Sequence, residues 1–544
     1  MITPYGEIPD RLAVDMSLAE QHEWLAGRVA RRTVIKGLVA GTAGLVVPGL
    51  WTQTARADGS TVVHGRHLAY GVDPRAEMVV GFAVDSPFAR ARVRATSGSG
   101  SSAGNEPLGS ADVQVQMVQG SAARYCHARL TGLEPDTQYG YEVELDGQVR
   151  SRGSFRTAPN RPIAFRFTAF GDQGTGDVPT QVLPRVDQLN PRLHLMCGDL
   201  CYADPTGTGG PGDSFIPARW DRWLDQNDGV AGRLPWMCVP GNHEMEPGYP
   251  THGYAGFLGR VSPGGRSPID IPVATSFQVG SVGFVGLDSN DVSYELSANR
   301  GWTQGAQTRW LERTLAELRT EGSGVDFVVA FLHHSPYSTS NNHASEGGVR
   351  EAWVPLFDRF GVDLVISGHN HCYERTLPLR AGRVTSADTV AVDSSKGTTY
   401  VTAGGGGASI GREPVFIPFP NKTRVYGSSG YEVETESWSI GNKTSSHAVL
   451  CVDVTPSAPG QQPGMTVRAI DAGGTEVDRV ELSRPPPASA PAGDWGPGPW
   501  VIGGSVAAAL AVGGGAAVMG ARRHQPSEAD LVEPPAAAAG ETPP

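Results

Sequence analysis

Five short polar clusters in this sequence carry side chains that could do chemistry together. They are Gly171-Asp172-Gln173-Gly174, Gly198-Asp199-Leu200-Cys201-Tyr202, Gly241-Asn242-His243-Glu244, Phe331-Leu332-His333-His334 and Gly368-His369-Asn370-His371. Together they offer carboxylate, amide, phenol and imidazole donors, a mixture that suits borderline or hard divalent and trivalent ions. Two ions about 3.5–4 Å apart need one carboxylate between them, and such a pair can polarise an oxygen and lower the pKa of a bound water. The glycines let the chain turn sharply, so that a donor comes close to an ion. Taken singly, each cluster is weak, because a Gly-Asp after a strand is a turn more often than a ligand. The whole set in this order is not what satisfied core residues would produce.

Every cluster follows or ends an apolar run of strand length, and in open α/β sheets ligands bind in the crevice beyond the carboxyl ends of the strands. From 162 onward the runs Ile163–Phe170, Leu193–Met196, Pro235–Val239, Phe327–Leu332, Leu364–Ser367 and Thr399–Thr402 alternate with other patterns, helical at Thr303–Arg319 and Val349–Phe360. That alternation predicts an α/β domain. Ser276–Leu287 predicts an antiparallel hairpin, so the sheet is mixed, and the β-rich runs Ala448–Val454 and Met465–Ile470 close the body. Ahead of it, from about 59 to 159, short alternating runs such as Glu77–Val84 and Gln138–Leu145 predict a β-sandwich.

The 544 residues allow three or four domains. With 56 acidic against 44 basic side chains and a net charge of −12, no basic surface points to nucleic acid as a structural partner. The 71 glycines and 42 prolines favour a loop-rich α/β or β protein, and six cysteines are too few for a disulfide framework. Near the start, Arg31-Arg32, a modestly apolar run and Ala55-Arg56-Ala57 predict a twin-arginine export signal over 1–57, read by the twin-arginine (Tat) machinery; translation could start at Met1 or Met16. Near the end, a Pro-rich linker at 483–499 precedes the uncharged stretch Trp500–Gly520 and then Arg522 and Arg523. This predicts a transmembrane helix over 500–520 with a cytoplasmic tail at 521–544, tethering an exported body to the outer face of a bacterial cell membrane.

The order GDxG, GDxxY, GNHE, a strand ending in His, and GHxH resembles the calcineurin-like metallophosphoesterases. Tyr202 after Asp199 is similar to the mark of their purple acid phosphatase branch. Leu130–Gly147 with Ser154–Pro159 resembles a fibronectin type III domain, and Cys372-Tyr373-Glu374-Arg375 after the last motif fits the same branch. The resemblance implies a mixed-sheet αββα sandwich over 160–482, preceded by a fibronectin type III-like sandwich over 58–159. It also implies a ligand set: Asp172, Tyr202 and His371 for one metal; Asn242, His333 and His369 for the other; Asp199 bridging. Fe(III) is expected beside the tyrosine and Zn, Mn or Fe(II) at the second position. His243 and His343 are the expected catalytic residues that contact the substrate, a phosphate ester.

Adjacent His333 and His334 leave room for a one-residue slip, and spacing to Pro336-Tyr337-Ser338 favours His333. Cys197, Cys201, Cys238 and Cys372 lie near the motifs without the Cys-x-x-Cys spacing of a thiolate zinc site, so they are expected to be buried or locally bridged. The reading is an exported, membrane-tethered hydrolase of phosphate monoesters. A phosphodiesterase or nucleotide hydrolase would use the same centre, and a surface binding module would be expected to have lost donors. No Gly-x-Ser-x-Gly elbow supports a serine hydrolase. The glycine run Gly404–Gly407 lacks the Lys-Ser/Thr of a P-loop and predicts a tight loop beneath the site.

Overall fold

A computed structural model describes residues 61–97, 109–247, 253–340, 343–408, 422–444 and 446–484. The chain from Val63 to Arg156 forms two four-stranded antiparallel sheets. One runs in the spatial order Val63–Tyr70, Met78–Val84, Arg124–Leu130, Gln114–Met117, and the other Gly109–Asp112, Ala91–Ser97, Gln138–Leu145, Gln148–Arg156. Alternation along Gln138–Leu145 turns Tyr139, Tyr141, Val143 and Leu145 inward, and the Phe155 ring stacks on Tyr139 with centroids 5.5 Å apart. This all-β region is compatible with a fibronectin type III-like domain.

The larger body is built on two seven-stranded mixed sheets. The first has the order Trp236–Val239, Leu193–Cys197, Phe165–Phe170, Ala448–Thr455, Gly464–Asp471, Glu476–Ser483, Ala391–Asp393. The second has the order Thr275–Val279, Val282–Gly286, Phe327–Leu332, Leu364–Ser367, Thr399–Ala403, Tyr373–Thr376, Ser439–Thr444. The first three strands of the first sheet are parallel, as are Val282–Gly286, Phe327–Leu332, Leu364–Ser367 and Thr399–Ala403 in the second. Apart from the half-buried Arg166, these central strands are buried along their whole length, which is why they read as continuous apolar runs rather than alternating ones. The sheets meet through their apolar faces, with Phe167 edge-on to Phe284 at 5.2 Å. Gly283 lets helix Ala306–Leu318 settle on the second sheet, since a Cβ there would lie 2.6 Å from Leu318 Cδ2.

Sandwich and body are joined through helix Ala218–Ala231, which packs on Val63–Tyr70. Arg66 pairs with Asp228, Tyr141 donates to the Gly232 carbonyl at 2.7 Å, and His64 sits between Asp225 at 2.7 Å and Asp85 at 3.2 Å.

The structure differs from the sequence expectation in several places. The fold class must be corrected by removing the transmembrane helix. Among the described residues no helix is long and apolar enough to cross a membrane, and 500–520 lies outside them, as do the leader at 1–57 and the tail at 521–544. The single helix expected over Val349–Phe360 is two, Gly347–Ala352 and Val354–Phe360, because Pro355 has no N–H and its ring would collide with the preceding turn. Helices Asp177–Leu189 and Ala218–Ala231 lie outside the sequence expectation: Pro184 interrupts the pattern of the first and Gly229 weakens that of the second. All six cysteines are buried and free.

Candidate metal centre

The parallel strands of both sheets end at one rim, and the polar clusters occupy the turns just beyond. Those turns are tight. Of the ten described non-glycine residues with positive φ, Asp172, Asp199, Tyr202 and His369 are four, at 61°, 52°, 55° and 68°. Left-handed backbone is costly for such side chains and persists only where the surroundings over-determine it, so its concentration on four predicted ligands is a functional signature. Two motif glycines are set by close approach rather than by φ. A Cβ on Gly241 would lie 2.1 Å from Asp199 Oδ1, and one on Gly368 would lie 2.5 Å from Asp172 Oδ2.

The donors gather in two sets. In the first, His333 Nε2 lies 3.0 Å from Asn242 Oδ1, 3.2 Å from Asp199 Oδ2 and 3.1 Å from His369 Nδ1. The remaining contacts settle which of these atoms carries hydrogen. His333 Nδ1 faces the Cys197 carbonyl at 2.8 Å, so that nitrogen donates outward and Nε2 is the one turned to the cluster. His369 Nε2 faces Glu295 Oε2 at 2.9 Å, which leaves the lone pair on Nδ1. Asn242 Nδ2 donates to the Gly207 carbonyl at 2.9 Å and turns its oxygen to the cluster. Two imidazole nitrogens, a carboxylate oxygen and an amide oxygen therefore face one point, with at most a single proton, that on His333 Nε2, among them. Four acceptors in that arrangement fit a cation.

Charge follows the same logic. Burial opposes a proton on His333, yet Asp199 outweighs it and pushes the imidazole up to about 10. Burial alone would raise Asp199, but His333 and His243 hold it well below the usual carboxylate range. His369 is driven well below an ordinary histidine by burial and by His343 beside it, so it stays neutral and ligand-competent.

In the second set, the Tyr202 hydroxyl lies 2.9 Å from His371 Nε2 and 3.3 Å from Asp172 Oδ1, and His371 Nε2 is also 3.3 Å from Asp172 Oδ1. Asp172 Oδ2 accepts the backbone N–H of His369 at 2.8 Å and so ties the two sets together. Burial and the Asp172 charge push the Tyr202 phenol well up, so it would ionise only against a strong cation.

His334, the alternative to His333, turns away. Its Nδ1 meets Ser289 Oγ at 2.8 Å and burial drives it well below the usual histidine value. His243 holds its Nδ1 on the Asp204 carbonyl and aims Nε2 at Asp199 Oδ2, 3.7 Å away, with its ring 4.3 Å from that of Tyr202. His343 packs on His369 at 4.0 Å between ring centroids. The side chains of His243, His343 and His371 are 15%, 23% and 20% exposed, whereas those of His333 and His369 are 0% and 4%, so the first three form the open side of the site.

Comparison with known proteins places this rim. Residues 165–373 match the calcineurin-like phosphoesterase family. An uncharacterized protein of Mycobacterium tuberculosis is 32% identical over 493 residues, covering 80% of this chain and 90% of that one. The chain belongs to the calcineurin-like phosphoesterases. Purple acid phosphatase 15 of Arabidopsis thaliana is 29% identical over 271 residues, 46% of this chain and 49% of that one. A purple acid phosphatase from yellow lupin (Lupinus luteus) seeds shares the fold with a TM-score of 0.61 at 19% identity, over 78% of this chain and 75% of that one. The phosphoesterase is thus a metal-dependent phosphoric ester hydrolase with purple acid phosphatase homologues, and membership implies a binuclear metal centre.

Two carboxylates of this phosphoesterase had no assigned role in the sequence. Glu244, the last residue of Gly-Asn-His-Glu, accepts the backbone N–H of Asp199 (2.8 Å), Leu200 (2.9 Å) and Gly241 (2.8 Å), so one buried side chain joins two of the motif loops. Burial and the Asp199 charge push it up to about 8, against the lowering effect of the N–H donors. Glu295 contacts both His369 and His343 and stands in no motif; nothing in its sequence neighbourhood could have marked it. The glycine run lies under the second set, where a Cβ on Gly404 would meet the Asn370 carbonyl at 2.2 Å and Asp172 Oδ2 at 2.9 Å. The motif cysteines supply a carbonyl, that of Cys197, and no thiolate.

Proposed function

We propose that this phosphoesterase cleaves phosphate monoesters at a binuclear centre. In this reading Asp172, Tyr202 and His371 hold Fe(III), Asn242, His333 and His369 hold a divalent Zn, Mn or Fe ion, and Asp199 is shared. The observation that carries it is the convergence of four acceptor-capable atoms, His333 Nε2 and the three around it, with both imidazoles oriented from outside the cluster. A binuclear pair, when bound, polarises phosphoryl oxygens and lowers the pKa of a water.

The chain's own residues do the rest. Tyr202, a phenol that burial keeps protonated, yields a hard anionic donor suited to a trivalent ion, and the neutral amide and imidazoles of the other set suit a divalent one. In this reading His243 Nε2 and the outer nitrogen of His343, on the open side, hydrogen-bond the phosphoryl group, and whichever ring is protonated gives its proton to the departing alkoxide. Relatives named purple acid phosphatases support the monoester as the substrate class.

The test is metal analysis of the purified full chain together with hydrolysis of p-nitrophenyl phosphate and of its diester. About two ions per chain, one of them iron, and preference for the monoester support the reading. A folded chain that takes up no added metal, or one that prefers the diester, overturns it. We also propose export of the folded protein through the twin-arginine leader, on the strength of Arg31-Arg32 and Ala55-Arg56-Ala57. Replacing both arginines by lysine should leave the protein inside the producing cell, and unchanged export would refute that part.

A further inference from the structure

We propose that Glu295 is a positioning residue that sets the tautomers of two imidazoles at once, the ligand histidine His369 and the substrate-side histidine His343. The proposal rests on the functional reading above and concerns a residue outside all of the metal motifs.

The geometry is a bridge. Glu295 Oε1 lies 2.8 Å from His343 Nδ1 and Oε2 lies 2.9 Å from His369 Nε2, with 11% of the side chain exposed. An ionised carboxylate only accepts hydrogen bonds, so both facing nitrogens must carry hydrogen. His369 is then left with its lone pair on Nδ1, toward His333, and His343 with its outer nitrogen free to exchange a proton. A carboxylate behind an imidazole fixes ring orientation and raises basicity, and loss of such a partner typically costs about 10–100-fold in metal affinity or activity.

The bridge is itself held in place. Glu346, three residues past His343 and 2% exposed, accepts from Ser293 Oγ (2.9 Å), Tyr294 N (2.7 Å), Glu295 N (3.1 Å) and Gly348 N (2.9 Å). One buried carboxylate thus locks the loop carrying Glu295 to the loop carrying His343.

Glu295, His343 and His369 also lie close enough together to suggest a further cation site. Their chemistry argues otherwise. Each short contact there pairs an N–H with a carboxylate oxygen and is complete without a cation, whereas around His333 four acceptor-capable atoms share at most one proton.

The experiment compares the full-length wild type with Glu295→Gln, Glu295→Ala, His343→Ala and the Glu295→Ala/His343→Ala double variant. Histidine-labelled nitrogen NMR of the metal-free chain reads the tautomers directly. His343 should be Nδ1–H and His369 Nε2–H in the wild type, with at least one of them redistributed in Glu295→Gln. That variant is near-isosteric but offers only one acceptor oxygen.

In the loaded enzyme, Glu295→Ala should lower kcat for alkyl phosphates by about 10–100-fold, with KM little changed. The loss should be smaller for p-nitrophenyl phosphate, whose leaving group needs no proton. In the double variant the leaving-group dependence should match that of His343→Ala alone. Chelator competition should show metal held more weakly in Glu295→Ala.

Wild-type tautomers in Glu295→Gln, or unchanged leaving-group dependence and chelator resistance in Glu295→Ala, overturn the proposal. A wild type that binds metal and hydrolyses no ester sinks the functional reading instead, and the NMR outcome still decides the role of Glu295.

Discussion

Removing the Glu244 carboxylate should loosen two of the motif loops together, and the structure sets the size of the effect. Oε2 accepts from Asp199 N and Gly241 N, and Oε1 from Leu200 N, all buried. A buried donor stripped of its acceptor costs about 1–3 kcal/mol. Glu244→Ala strips three, so after partial relaxation it should destabilise by about 4 kcal/mol, a drop in Tm on the order of 8 °C. Glu244→Gln keeps one oxygen, best placed where two donors meet, and turns its NH2 against the third N–H, for a loss of about 2 kcal/mol.

Thermal unfolding of metal-loaded full-length protein at pH 9 is the assay, above the value of about 8 for Glu244, so that the wild type carries the ionised carboxylate. Turnover should fall in the same order, because Asp199 supplies one of the three donors and Asn242 follows another, Gly241. A Glu244→Ala protein within 1 °C of wild type, with full turnover, would refute the reasoning.

Asp199→Ala should abolish metal retention and turnover together, while His243→Ala should keep the metals and lose rate; elemental analysis beside hydrolysis of p-nitrophenyl phosphate separates the two. Gly368→Ala places a methyl carbon 2.5 Å from Asp172 Oδ2, so the loop carrying His369 must shift and bound metal should fall to half or less of the wild-type content, even if the protein stays folded. His64 is raised from 6.5 to about 9: burial opposes its charge, but Asp225 and Asp85 prevail. Its stabilisation is therefore fully present below pH 6.5 and lost as pH rises through 9. With both partner carboxylates partly in solvent, His64→Gln should cost about 1–2 kcal/mol at pH 6 and close to nothing at pH 10, read from thermal midpoints at the two pH values.

Much of this molecule is legible along the chain because its central strands are buried on both faces. Phe327–Leu332 and Leu364–Ser367 appear with unchanged limits, and the Ser276–Leu287 hairpin is present as Thr275–Val279 paired with Val282–Gly286. Helices were harder to read wherever proline lay inside them, as in Asp177–Leu189, since packing against the sheet overrides a weak local pattern. The membrane-spanning expectation, drawn from an uncharged stretch and the arginines after it, has no counterpart among the described residues.

By itself, then, the sequence determined the donor types, their order and their place after strands, because a metal ligand must be a particular residue next to a tight turn. The tertiary structure decided what depends on contacts across tens or hundreds of positions. It separated His333 from His334, because only His333 has the Cys197 carbonyl behind it to orient its ring. It also brought Glu295 to His369 across 74 positions, and Glu244 to the loop of Asp199 across 45. A carboxylate that serves through a hydrogen bond needs only reach and burial, not a motif, and those exist only in the folded chain.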